Sequence, residues 1–265
     1  MRVPTPSLLP LLLCAVLAAC DHEQDAEVSA PKDADISILS MGNSHQSVND
    51  IQAMIADMVR SERDGELVAI VEAPGWMFLE DRLYHEPSLR LLREIDWSYV
   101  ILQAQKYSTS GQYSYSTAEA KELIRLARVQ HAVPILFPEW PRLGVDETQR
   151  IYDLHVSIAQ AEPACVAPIG QAWDLSLARH PDLRLHAPDG NHSNHAGAFL
   201  AALVLHATIT GGSPLDVPHL AAYPVETEDQ ARLRQVAADT VADWPPRAWC
   251  PDDPYAPPAE PAPPT

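Results

Sequence analysis

The sequence predicts a single α/β domain with a mostly parallel, five-stranded sheet covered on both faces by helices. Two observations predict it. Short apolar runs of strand length alternate with amphipathic runs of helical period, at the spacing of strand–helix–strand units. About 210 of the 265 residues lie between two low-complexity ends, which is room for one sizeable core.

Residues 36–41 are apolar except for two serines and read as a buried first strand. After Ser44, a helix places Val48, Ile51, Ile55, Met58 and Val59 on one face and stops near Gly65. Residues 67–71 form a second strand that leads to Pro74-Gly75. Segment 78–95 is mixed, with Leu89, Leu92 and Ile95 marking a short helix. Residues 99–102 are the third strand, 117–130 a helix and 133–137 the fourth strand, which ends at Pro138-Glu139-Trp140-Pro141. A helix over 146–160, a short fifth strand at 164–167 and a helix over 169–178 follow. The last main helix runs over 194–210 and ends at Gly211-Gly212, and another spans 226–243. In a sheet of this kind the site lies beyond the carboxyl ends of the strands. Gly42-Asn43-Ser44, Gly75, residues 103–105 and Glu139-Trp140 all fall on that rim.

The ends differ from the domain. Arg2 and the apolar run 8–19 read as a signal peptide, 1–19, too short and too early for a spanning helix. It ends in Leu17-Ala18-Ala19-Cys20, which resembles the bacterial lipobox. That resemblance implies cleavage before Cys20, its lipidation, and a chain anchored to an envelope membrane and facing the periplasm. Residues 20–34 read as the lipidated cysteine and a polar tether, 35–244 as the domain, and 245–265 as a tail with nine prolines and no core of its own.

The net charge is −18, and losing the leader, with Arg2 and no acid, takes it to −19. No basic run is present, which argues against nucleic acid as a partner. An acidic surface also gives anionic lipids no reason to bind, so membrane attachment rests on the lipid. Of four cysteines, Cys165 and Cys250 remain in the mature domain. In an oxidising compartment such a pair closes a disulfide, the alternative being two separate thiols. Their spacing carries no metal-site pattern.

The chemistry centres on Asp189-Gly190-Asn191-His192, an acid and an imidazole on one short turn before a helix. Ser44, between the first strand and its helix, stands at a positive helix end whose N–H groups can hold an oxyanion. His192 is the candidate base and Asp189 the acid that fixes its tautomer. Each residue alone reads as a helix cap, a turn acid or a surface histidine. Their joint place on one rim makes the case.

These residues resemble the SGNH, or GDSL-type, hydrolases, whose flavodoxin-like domain has an early serine block and a late Asp-x-x-His block. Gly42-Asn43-Ser44 matches the first, with Asn43 where aspartate is usual, and Asp189 and His192 match the second in order and spacing. Residues 97–103 and 189–192 are similar to one bacterial branch, and the resemblance covers roughly 35–215. It implies a Ser44–His192–Asp189 triad with Ser44 and Gly75 N–H groups in the oxyanion hole. The family's Gly-x-Asn-Asp is replaced by Gln103-Ala104-Gln105, which puts Gln105 in the asparagine's place with Gln103 beside it. It further implies an esterase, a carbohydrate O-deacetylase or an acyltransferase acting on a small-molecule or glycan acyl ester, with no cofactor.

Asn43, Trp76, Glu139 and Trp140 are candidate pocket residues. Glu139-Trp140 reads more readily as a structural turn flanked by prolines, and Trp76 with Phe78 as core. Two other functions compete: an inactive SGNH-type binding lipoprotein, and a metal-binding lipoprotein that uses His186, Asp189, His192 and His195.

Overall fold

The computed structural model describes residues 31–252 apart from Lys32 and Asp64. The leader, Cys20, most of the tether and the end of the proline-rich tail lie outside the described residues. Five strands are present: β1 (Ile36–Met41), β2 (Val68–Glu72), β3 (Tyr99–Gln103), β4 (Val133–Phe137) and β5 (Cys165–Val166). All pair in parallel in the order β2-β1-β3-β4-β5, the flavodoxin-like arrangement. Such a sheet has its crevice where the order reverses, here at the carboxyl ends of β1 and β3.

Strands β1, β3, β4 and β5 are buried on both faces, which explains why they read as mostly apolar runs, while the edge strand β2 is half-buried. Ile36 and Ile38 of β1 point to one side with Tyr99, Ile101, Val133 and Ile135. There they meet helices α2 (Ile51–Glu62), α7 (Ile169–Arg179), α8 (His195–Thr210) and α9 (Thr227–Asp243). Leu39 and Met41 point the other way with Val100, Leu102 and Leu136. On that side lie α4 (Glu86–Glu94), α5 (Ala118–Val129) and α6 (Thr148–Ala161). Helix α8 is buried over residues 197–210, because it is apolar on every face and is enclosed by α2, α7 and α9. Among the described residues no helix is long and apolar enough to cross a membrane.

Two expectations need correction. The helix after Ser44 is not continuous: α1 (Ser44–Ser47) gives way to a 3-10 turn over Val48–Asp50 before α2 begins. Asn49 and Asp50 have φ of 61° and 57°, a left-handed conformation that these two residue types tolerate. The break lets the Asn49 amide donate to the Ser193 carbonyl at 2.8 Å, so a tertiary contact overrides helical period. The mixed segment 78–95 holds two helices, α3 (Leu79–Arg82) and α4, with Pro87 in the first turn of α4.

The start of the tail is packed. The Pro246 carbonyl accepts from Val166 N–H at 3.0 Å and covers the edge of β5. Trp249 joins the core beneath α4–α6, and Arg247 donates to the carbonyls of Thr208 and Ile209 near the end of α8. Cys165 and Cys250 form a disulfide across 85 residues. A loop of that length contributes about 4–5 kcal/mol in the chain-entropy model. Cys250→Ser is therefore expected to lower urea stability by several kcal/mol, and reductant should lower wild type to match. Superimposable curves with and without reductant would contradict this.

Candidate active site

The site is built where β1 and β3 end. Asn43 leaves β1 in an extended conformation and caps α1, its side-chain oxygen accepting from His45 N–H at 3.0 Å. Its own N–H donates to the buried side-chain Oε1 of Gln103 at 2.7 Å. Gly42 is required there, since a Cβ would stand 2.3 Å from that same oxygen. Ser44 is the first residue of α1, so its N–H has no intrahelical acceptor.

The acid–histidine turn is closed by its own main chain. Ala187 N–H donates to the His192 carbonyl, and Gly190, at φ +69°, makes the reversal. One Asp189 oxygen accepts from the N–H groups of Asn191 (2.9 Å) and His192 (3.0 Å). The other lies 2.6 Å from His192 Nδ1. His192 Nε2 lies 2.8 Å from Ser44 Oγ, across 148 residues of sequence. With Nδ1–H donated to Asp189, Nε2 is left to accept the hydroxyl proton. The hydrogen bond from His192, reinforced by the two N–H groups, holds the Asp189 carboxyl far below the usual range. The turn is tethered to its surroundings by Trp140 Nε1, which donates to the Asn191 carbonyl at 2.9 Å, and by Leu143 N–H, which donates to the Gly190 carbonyl.

These groups open on a cleft of about 460 Å³ lined by Asn43, Ser44, Phe78, Gln105, Arg142 and His192, with Lys106, Tyr107 and Tyr115 beyond. A second cleft, of about 420 Å³, is lined by Asp146, Asp174 and Asp243 among others and shares no residue with it.

Several predicted residues stand elsewhere or are already engaged. Gln105 lines the cleft, but its amide nitrogen donates to the carbonyls of Lys106 and Ser116, both at 2.9 Å. The side chain is one methylene longer than asparagine, and it reaches past the rim to the following loop. The Gln103 amide nitrogen donates to Glu139 at 2.6 Å. Neither amide is therefore aimed at an oxyanion. Gly75 and Trp76 do not line the cleft, and the Gly75 carbonyl is held by Arg82. Trp140 is a buried support stacked on Trp173 at 4.6 Å, and Glu139 lines the cleft floor. The alternative metal cluster is not assembled: His186 Nε2 lies 2.8 Å from the Pro141 carbonyl, its ring edge-on to Trp173. Among the described residues no three His, Cys, Asp or Glu side chains are placed to hold one ion.

Sequence reasoning passed over His45, whose ring lies 5.0 Å from that of His192 and 5.3 Å from that of Trp140. Burial, then the positive charges of His192 and Arg142, push its pKa down to about 4. Burial pushes Glu139 up from 4.5 to about 7 against the Gln103 hydrogen bond. The two shifts act oppositely on stability. Between about pH 4 and 6.5 the unfolded chain binds a proton at residue 45 that the native state does not, so stability rises with pH. Between 4.5 and about 7 the native state binds a proton at Glu139 that the unfolded chain has lost, so stability falls. Glu139→Gln removes the fall. The variant is expected to match wild type near pH 4 and exceed it by about 2–3 kcal/mol at pH 8, read from urea midpoints. Parallel curves from pH 4 to 8 would count against a protonated native Glu139.

No family model and no curated protein matches the chain. Solved structures do. A DUF4886 family protein from Bacteroides uniformis superposes with a TM-score of 0.58 at 16% identity, over 79% of this chain and 95% of that one. A candidate SGNH hydrolase from Slackia heliotrinireducens superposes with a TM-score of 0.51 at 21% identity, over 64% of this chain and 97% of that one. The fold is that of the SGNH hydrolases. Within the SGNH hydrolase fold the serine block at the end of β1 and the acid–histidine turn before α8 meet on one rim, as the parallel sheet requires.

Proposed function

We propose that this chain is a serine hydrolase of acyl esters. The observation that carries the reading is the relay from Ser44 Oγ to His192 Nε2 at 2.8 Å and from His192 Nδ1 to Asp189 at 2.6 Å. In the proposed reaction Ser44 Oγ attacks the ester carbonyl as His192 takes its proton. Asp189 stabilises the imidazolium, and the oxyanion develops toward the free Ser44 N–H at the start of α1. Collapse expels the alcohol, which takes the proton from His192 and leaves an acyl group on Ser44. Water, or a sugar hydroxyl in an acyl transfer, then attacks that acyl group with His192 again acting as base. The Leu17-Ala18-Ala19-Cys20 segment and the disulfide support an envelope lipoprotein facing an oxidising compartment, and O-acetylated glycans are the proposed substrates there.

The competing reading is an SGNH fold that binds without turnover, and the engaged amide of Gln105 is what favours it. Fluorophosphonate labelling of the domain from Asp21 onward, read by intact mass, separates the two. Labelling of wild type but not of Ser44→Ala or His192→Ala is expected. A folded, monodisperse wild type that takes no label would sink the hydrolase reading.

A further inference from the structure

The cleft beside Ser44 carries a cation, Arg142, that forms no ion pair among the described residues and feels Glu139 only through space. Arg142 lines it, and its guanidinium is in no ion pair or hydrogen bond among the described residues. The nearest carboxylates each accept hydrogen bonds from other groups on one oxygen. Glu147 accepts from Arg142 N–H and from the Tyr107 hydroxyl, and Glu139 accepts from Gln103. The second cation of the cleft, Lys106, is paired with Glu80 and lies over the Phe78 ring at 4.7 Å.

The backbone of Arg142 is built into the rim, with its side chain exposed. Its carbonyl accepts from Val145 N–H at 2.9 Å, closing a turn, and the next residue, Leu143, donates to Gly190 in the acid–histidine turn at 2.9 Å. The backbone carrying the guanidinium is thus fastened to the backbone carrying His192. The chain as a whole has a net charge of −18, and its field repels anions. An exposed guanidinium carried on that fastened backbone makes a local exception to that repulsion. Beside it, Phe78 and Tyr115 stand 39% and 45% exposed, with Tyr107 completing an aromatic wall suited to the face of a sugar ring.

We propose that the substrate is an O-acylated acidic carbohydrate whose carboxylate is held by Arg142 while its ring lies against Phe78 and Tyr115. This rests on the hydrolase reading for its ester. The anion subsite itself can be tested without turnover. In Ser44→Ala protein, methyl glucuronoside is expected to bind about 10–100-fold tighter than methyl glucoside, as a charge-assisted, bidentate contact implies. Adding Arg142→Gln should erase that difference, and Arg142→Lys should restore part of it. Chemical-shift titration reads all of these. Equal binding of the two glycosides, or a preference that survives Arg142→Gln, would overturn the proposal.

In turnover, kcat/KM for the acetylated glucuronoside over the acetylated glucoside should fall about 10–100-fold in Arg142→Gln. A charge preference seen instead only for 4-nitrophenyl hemiglutarate over 4-nitrophenyl butyrate would move the carboxylate to the acyl side and overturn the sugar assignment. Arg142-dependent glycoside binding with no Ser44-dependent turnover of any ester would sustain the subsite and sink the hydrolase reading.

Discussion

Ser44→Ala is expected to lower kcat for 4-nitrophenyl acetate by about 10⁴–10⁶ while leaving the protein folded. The size follows from the geometry. Ser44 Oγ is bonded to His192 Nε2, and among the described residues no other hydroxyl is bonded to that ring, so deleting it removes the covalent route. The residual rate is what binding and the α1 N-terminus contribute to attack by water, roughly 10³ over solution. His192→Ala should cost nearly as much, because an unassisted hydroxyl is a weak nucleophile. The double variant should be little worse than either single one, since the two side chains act as a unit. Losses that multiply in the double variant would mean that the two residues act separately. A stability check guards the result. Ser44 is at the first position of α1 and His192 is part-exposed, so thermal midpoints should stay close to wild type.

The fold and the meeting of Ser44 with His192 were legible for the same reason. A parallel sheet buried on both faces forces largely apolar strands, and β3 and β4 show this most clearly. The site of such a sheet must lie past the strand ends, so Ser44 and His192 could be brought together on paper from opposite ends of the domain. What was not legible depends on contacts with no local pattern. Asn49 is an ordinary helix-surface residue until its amide finds Ser193. Gln105 is a plausible donor until its extra methylene carries the amide to Ser116. Tyr107, Tyr115 and Arg142 line the cleft from loops, where periodicity gives no direction to a side chain. The prolines after 244 suggest an unpacked tail by composition, yet Pro246 pairs with Val166 because β5 is two residues long and leaves an edge to cover.

Arg82 is the largest of these hidden residues, and its removal is the second large expected effect. The side chain is wholly buried, and its two terminal nitrogens make four bonds. Nη1 donates to the Pro74 carbonyl at 2.7 Å and to Ser88 Oγ at 2.8 Å. Nη2 donates to the carbonyls of Gly42 at 2.6 Å and Gly75 at 2.7 Å. Burial pulls its pKa down to about 10, partly offset by Glu72, so it stays charged at neutral pH. One guanidinium thus ties the turn after β1, which carries Ser44, to the turn after β2. Arg82→Met fills the space but leaves three carbonyls without this donor, at about 1–3 kcal/mol for each that finds no other partner. Gly42 keeps a bond from Met77 N–H, so the expected loss is about 3–5 kcal/mol in urea. Arg82→Lys keeps the charge but presents one nitrogen where the fork presents two, and it cannot hold both turns in place. It is expected to fold, with kcat down about 10–100-fold and KM little changed, because a displacement of about 1 Å at Ser44 costs that much in attack geometry. A lysine variant with full kcat would reduce Arg82 to a purely structural clamp. A methionine variant within about 1 kcal/mol of wild type would show that water replaces the guanidinium at those carbonyls.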